Sequence, residues 1–320
     1  MRKLFLLLTV TLSANTSFAK ELVFIHSYHF EYPWVEEYRE GFHSEIENMN
    51  IHDFQMDTKR KPVSQFPAIA DKAWAFIQQH NPDIVVVSDD NALKYLGPRL
   101  IESNIPTFFL GINANPRNYV PITPNISGVL ERPLMKRSVY MISKVLPDVA
   151  KVRVLMDGTV TSHAILNTSF SNKLTQDING ITVDTSLISK YELWESNVLK
   201  AKQQGYDAII IANYAALKDE SGRHYSLDEV STWTSENSPL PVFAFWSYSV
   251  GKGRAIGGLS ISALEQGIEV AKLINEYNET GDMPTIITPK KGVFIFSKKE
   301  LKRWQLSMPS DIATKAEMLD

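Results

Sequence analysis

The chain has 320 residues, 44% of them hydrophobic and 22% charged, which suggests about two domains and excludes a mostly disordered chain. Lys+Arg number 33 against 36 acids, a net charge of −3, so no basic excess marks a nucleic-acid partner. The absence of cysteine excludes thiol catalysis, iron–sulfur clusters, disulfides and cysteine-ligated zinc.

Met1-Arg2-Lys3 is a short basic start, followed by an apolar stretch over 4–12 and by small residues at Ser17 and Ala19. This is the pattern of a secretory signal peptide over 1–19, cut after Ala19. The stretch is too short for a membrane span, which takes about 20 helical residues. Removal of Arg2 and Lys3 lowers the basic count from 33 to 31 against 36 acids, a net charge of −5. The expected product is soluble and periplasmic.

From residue 20 short apolar runs alternate with longer amphipathic ones. Strands are predicted over 22–27, 51–57, 84–88 and 106–110, and helices over 35–49, 64–79 and 90–101. The rhythm repeats with strands over 152–156, 181–187, 208–212 and 241–246, and helices over 159–175, 191–204 and 227–235. Alternation of this kind builds parallel sheets with helices on both faces. Two runs of it imply an α/β protein of two Rossmann-like lobes. Residues 114–127, rich in Pro and Asn, read as a crossover. A late helix over 263–277 returns to the first lobe, and the tail over 293–309 packs on the second. The expected division is 20–127 plus 261–288 for the N-terminal lobe and 128–260 plus 289–320 for the C-terminal lobe.

Ligands of open parallel sheets sit beyond the carboxyl ends of the strands. In the first run those ends are followed by Ser27, Tyr28, Tyr32 and Trp34, by Asp89 and Asp90, and by Asn113. In the second they are followed by Asp157 and Thr159, by Asn213 and Tyr214, and by Trp246 and Tyr248. Asp90 and Thr159 also read as helix caps. Asp89 reads as a partner for a ligand amine or hydroxyl, and the aromatics as stacking surfaces. His26 and His29 lack a third ligand nearby, so a hydrogen-bonding role is expected and no metal site. Glu36, Glu37 and Glu40 read as a solvated helix face. No nucleophile elbow, phosphate loop or dinucleotide fingerprint is present, and Gly251-Lys252-Gly253-Arg254 reads as a turn. Neither an enzyme nor a cofactor is expected.

LVFIHSYHFEYPW (22–34), VVSDDNALKYL (86–96), PVFAFWSYSVGKGRAIGGLSISALEQGIEVAKLI (241–274) and FIFSKKELKRWQLSMP (294–309) together resemble the ABC transporter substrate-binding family with the type 1 periplasmic-binding-protein fold. The resemblance is greatest to the subgroup that also serves as sensor domains of histidine kinases and diguanylate cyclases. It implies two lobes that close on a small molecule, here amino-acid-like, aromatic or sugar-like. The implied partner is a membrane permease or, alternatively, a sensor kinase or cyclase. The positions it places at the ligand are Ser27, Tyr28, Trp34, Asp89, Asp90, Asn113, Asp157, Thr159, Asn213 and Trp246. Ser162 stands where the family often has Gly, and Ser247 where the related sensors often have an acid. No kinase or cyclase domain follows Asp320, so a binding module alone, and a monomer, is expected.

Overall fold

The computed structural model describes residues 19–289 and 292–320; the signal peptide expected over 1–19 lies, but for Ala19, outside the described residues. The first sheet holds β1 (Lys20–His26), β2 (Met49–Gln55), β3 (Ile84–Ser88), β4 (Thr107–Ile112) and β5 (Ile126–Leu130), all parallel, in the order β2-β1-β3-β4-β5. Between them run α1 (Pro33–Glu45), α2 (Phe66–His80) and α3 (Asp89–Ser103). β3 and β4 are buried at every position, as expected of strands covered by helices on both faces.

The second lobe begins with α4 (Met135–Val145), which packs on it. Its further elements are β6 (Lys151–Asp157), α5 (Val160–Ser169), β7 (Thr175–Ile178), β8 (Ile181–Ile188), α6 (Tyr191–Lys200), β9 (Ala208–Ile211), α7 (Leu227–Asn237), β10 (Val242–Ala244) and β11 (Gly257–Ser260). The parallel part runs β8-β6-β9-β10-β11, the same doubly wound order as the first sheet. Then come α8 (Ala263–Thr280), β12 (Val293–Ser297), α9 (Lys298–Arg303), α10 (Ser310–Ala313) and β13 (Glu317–Leu319). β12 pairs antiparallel with β11 and parallel with β13 at one edge. The chain changes lobe after β5 and after β11, and again after the segment around Ile287, which pairs beside β5 at Val129.

α8 lies against α1, β4 and β5 of the first lobe. The helices approach until backbone meets backbone. A Cβ on Gly267 would sit 1.9 Å from the Tyr38 carbonyl oxygen, and one on Gly41 2.1 Å from that of Leu264. Alanine is the better helix former by about 1 kcal/mol, yet overpacking a close contact costs about 1–3 kcal/mol. Here the obstacle is backbone, which cannot rotate away. Gly267→Ala is therefore expected to cost up to about 2 kcal/mol net, read as a lower urea midpoint at an unchanged m-value. A raised midpoint would show that the helices part without loss.

Several expectations are corrected. The predicted helix over 159–175 ends at Ser169, and Thr175–Ile178 pairs antiparallel with β8. The two strands are joined at Asn179-Gly180, both with positive φ (55° and 81°), the pair that hairpin turns favour. The predicted crossover over 114–127 runs into β5, a strand whose Gly128 breaks the β-branched pattern. Asp90 does not cap α3: the N-cap is Ser88, whose side chain makes no capping bond and meets Tyr38 OH at 2.7 Å. Glu36 and Glu40 are exposed as expected, but Glu37 is half-buried and accepts a hydrogen bond from Ser247 Oγ at 3.0 Å. Gly251–Arg254 does form a turn.

Candidate functional site

In a doubly wound sheet the loops after the first and third strands diverge to opposite faces and leave a crevice. The first lobe opens this crevice beyond β1 and β3, the second beyond β6 and β9. The structure sets the two against each other. Tyr28, Tyr32, Trp34, Lys59, Asp89, Asn113 and Glu131 face Thr161, Asn213, Trp246 and Tyr248 around a cavity of about 10 Å³, room for about one water. Tyr32 and Lys59 also line an outer chamber of about 510 Å³, walled by His29, Arg60, His224 and Tyr225 among others. A larger groove of about 1110 Å³ runs along 115–132 and 281–286 and reaches Asn167 and Thr168.

The lobes touch through side chains at this cavity. Tyr28 OH and Thr161 Oγ1 are 3.2 Å apart, as are the hydroxyls of Tyr32 and Tyr248. Trp246 Nε1 donates to Glu131 Oε1 at 3.0 Å, and His224 Nε2 stands 3.1 Å from the Lys59 carbonyl oxygen. Glu131 also accepts from Asn113 Nδ2 at 2.7 Å. Burial nevertheless raises its carboxyl to about 7. Burial, and then the charge of Glu131, push Asp89 well above the usual carboxylate range. Asp89 has φ +63°, a left-handed conformation that non-glycine residues adopt only when their surroundings enforce it. Four buried polar atoms here have no partner within the protein: Trp34 Nε1, Asp89 Oδ2, Asn113 Oδ1 and Asn213 Nδ2.

Of the ten positions expected at the ligand, six line this cavity: Tyr28, Trp34, Asp89, Asn113, Asn213 and Trp246. The other four are committed to the loops behind it. Ser27 Oγ donates to the Ser88 carbonyl and accepts from Ala92 N–H. Asp90 accepts from the N–H groups of Asn113 and Ala114 and from Tyr119 OH, and so holds the loop after β4 in place. Asp157 accepts from Thr159 Oγ1 and Ser162 Oγ, both at 2.6 Å, and from Ala216 N–H. Thr159 caps α5. Ser162 thus supplies a hydroxyl that glycine would lack. His26 lies between Tyr38 OH and Asp53, each at 2.7 Å, and no group of three metal-ligating residues occurs among the described residues.

Lys59 and Glu131 were not anticipated. Both follow strand ends: Lys59 comes after β2, and Glu131 directly after β5. The rule that found Asp89 finds them once those two ends are read as well.

No family model and no curated protein matches the chain. Solved structures do. The ABC domain from Streptococcus pneumoniae in complex with L-Trp superposes with a TM-score of 0.67 at 15% identity, covering 94% of this chain and 99% of that one. The ligand-free, open structure of CD0873, a substrate binding protein with adhesive properties from Clostridium difficile, gives 0.63 at 14% identity, over 93% and 98%. The chain has the type 1 periplasmic-binding-protein fold. A structure from Bacteroides fragilis described as a putative LacI transcriptional regulator is similar too, with a TM-score of 0.56 at 10% identity over 89% and 99%. The fold alone therefore leaves the role to be argued from the site. No helix among the described residues is long and apolar enough to cross a membrane.

Proposed function

We propose that this protein is a periplasmic solute-binding protein that captures a small molecule between its lobes and delivers it to an ABC transporter permease. One observation carries the reading. Trp34, Asp89 and Asn113 from one lobe and Asn213 from the other are each at most 5% exposed, border one cavity, and keep a polar atom without a protein partner. Unpaired polar groups inside a protein cost about 1–3 kcal/mol each, so a fold that concentrates four at one point has a use for them. Two donors, two acceptors and a wall of tyrosine and tryptophan rings suit an amine-bearing or hydroxylated ligand with an apolar body. An L-Trp complex on the same fold fits that description. Ligand contacts to both lobes stabilise the closed form, and only such differential contact shifts the population. None of these groups forms a nucleophile–base pair, so binding without turnover is the reading.

The test is a thermal-shift screen of the refolded chain against amino acids, sugars, nucleosides, polyamines and carboxylates. A true ligand at about one hundred times its dissociation constant adds about 2.7 kcal/mol and is recovered unchanged. Asp89→Asn is expected to weaken that ligand at least tenfold. Unchanged affinity would remove Asp89 from the site, and a chemically altered compound would replace the binding reading with an enzymatic one. Co-purification with a permease rather than with a sensor kinase or cyclase decides the partner.

A further inference from the structure

Lys59 is only 6% exposed, a depth that lysine seldom reaches without a paired carboxylate. Its ammonium stands 4.4 Å from the centre of the Tyr28 ring and 5.6 Å from that of Tyr32, within cation–π range. The backbone below it is pinned. Thr58 donates to the Ser27 carbonyl from both its N–H and its Oγ1, and Asn91 Nδ2 donates to Thr58 Oγ1. The Lys59 carbonyl faces His224 across the cleft. What remains free to turn is the four-carbon side chain, and it borders both the inner cavity and the outer chamber.

We propose that the Lys59 ammonium is a tethered stand-in for the ligand's own cationic group, and that it swings into the outer chamber when a ligand carrying an organic ammonium enters. The proposal rests on the solute-binding reading and narrows its ligand class. Volume and charge support it. The inner cavity holds about one water, so a ligand enters only if something leaves. Lys59 is the long, unbranched side chain there with a chamber of about 510 Å³ to move into. The walls are aromatic faces, which favour a cation, and two carboxyls, Asp89 and Glu131, that can accept its N–H groups. A second cation beside Lys59 would meet like charge, and an anion would meet the two acids. Exchange of one ammonium for another keeps the local charge constant and retains the ring contacts.

The experiment titrates ethylammonium, tetramethylammonium and acetate into the wild-type chain, Lys59→Ala and Lys59→Arg, followed by NMR of the tryptophan indole N–H signals. Lys59→Ala is expected to bind at least one ammonium probe tenfold or more tightly than wild type. Lys59→Arg, which keeps a cation over the rings, stays at the wild-type level. Urea unfolding establishes that each variant is folded, and Lys59→Met, which retains the apolar stem, repeats the measurement if Lys59→Ala is not. Ammonium binding no tighter in the folded uncharged variant overturns the proposal. Acetate binding that wild type shows and the variant loses overturns it in another way, by making Lys59 a reader of anions. If wild type takes a solute from the screen while these probes fail, only this inference falls. If neither binds, the solute-binding reading falls with it.

Discussion

Glu131→Gln is expected to make the protein more stable at pH 8 and to leave its stability unchanged near pH 4. Burial disfavours the charge of the Glu131 carboxyl and pushes it up to about 7 in the folded chain, against an ordinary value of 4.5. Below pH 4 it is protonated in both states and costs nothing. Between about 4.5 and 7 the unfolded chain releases the proton while the folded one keeps it, so stability falls as pH rises through that window. Above 7 the cost levels off at about 3 kcal/mol. Glutamine carries no charge at any pH. Its Oε1 can still accept from Trp246 Nε1, and its Nε2 can donate to Asn113 Oδ1, which has no partner in the wild-type chain, once the Asn113 amide turns over. Urea midpoints at pH 4 and pH 8 check this. The wild-type midpoint should fall between them by more than that of the variant. A variant less stable than wild type at pH 8 would mean that the folded protein holds Glu131 charged and well solvated.

The same residue shows what could be read from the chain beforehand. The alternating strands and helices, the two lobes and the two rows of polar residues at strand ends follow from local pattern, because a parallel strand covered on both faces must be apolar throughout. IVVVS at 84–88 and AIII at 208–211 leave no other reading. β5 was hidden because ISGVL carries a glycine and follows a Pro- and Asn-rich stretch, so Glu131 at its end went unread. β7 was hidden because its polar TQDI sequence gains strand geometry only by pairing with β8. At the site, side-chain chemistry named the right types, but direction decides between neighbours. Asp89 and Asp90 are adjacent, yet the left-handed backbone at Asp89 sends one carboxyl to the cavity and the next to the loop after β4. Nothing in the two letters distinguishes them. Ser27 and Asp157 are likewise drawn into satisfying backbone N–H and carbonyl groups of the very loops that present the site, and that demand appears only when the loops are in place.

Trp246→Ala is expected to cost about 3–5 kcal/mol of stability, the usual loss for a buried large aromatic, and also to loosen the closed form. Trp246 is 3% exposed and lies just past β10 in the second lobe. Its N–H reaches Glu131, whose backbone N–H is bonded to Ile112 of the first lobe. Of the other ties at the cavity, those between Tyr28 and Thr161 and between Tyr32 and Tyr248 are both 3.2 Å and neutral, and His224 Nε2 meets the Lys59 carbonyl oxygen at 3.1 Å. A bond to a carboxylate is the stronger kind once the acid ionises, so the contribution of Trp246 to closure should grow as pH rises past 7. Trp246→Phe separates the two roles, because it keeps most of the ring and removes the N–H. It should lose little packing energy, yet expand the molecule in small-angle scattering at pH 8 and much less at pH 5.5. Combined with Glu131→Gln its effect on closure should be less than additive, since the two side chains share one bond. A radius of gyration unmoved by Trp246→Phe at both pH values would show that the lobes are held together elsewhere, and that Trp246 only fills space.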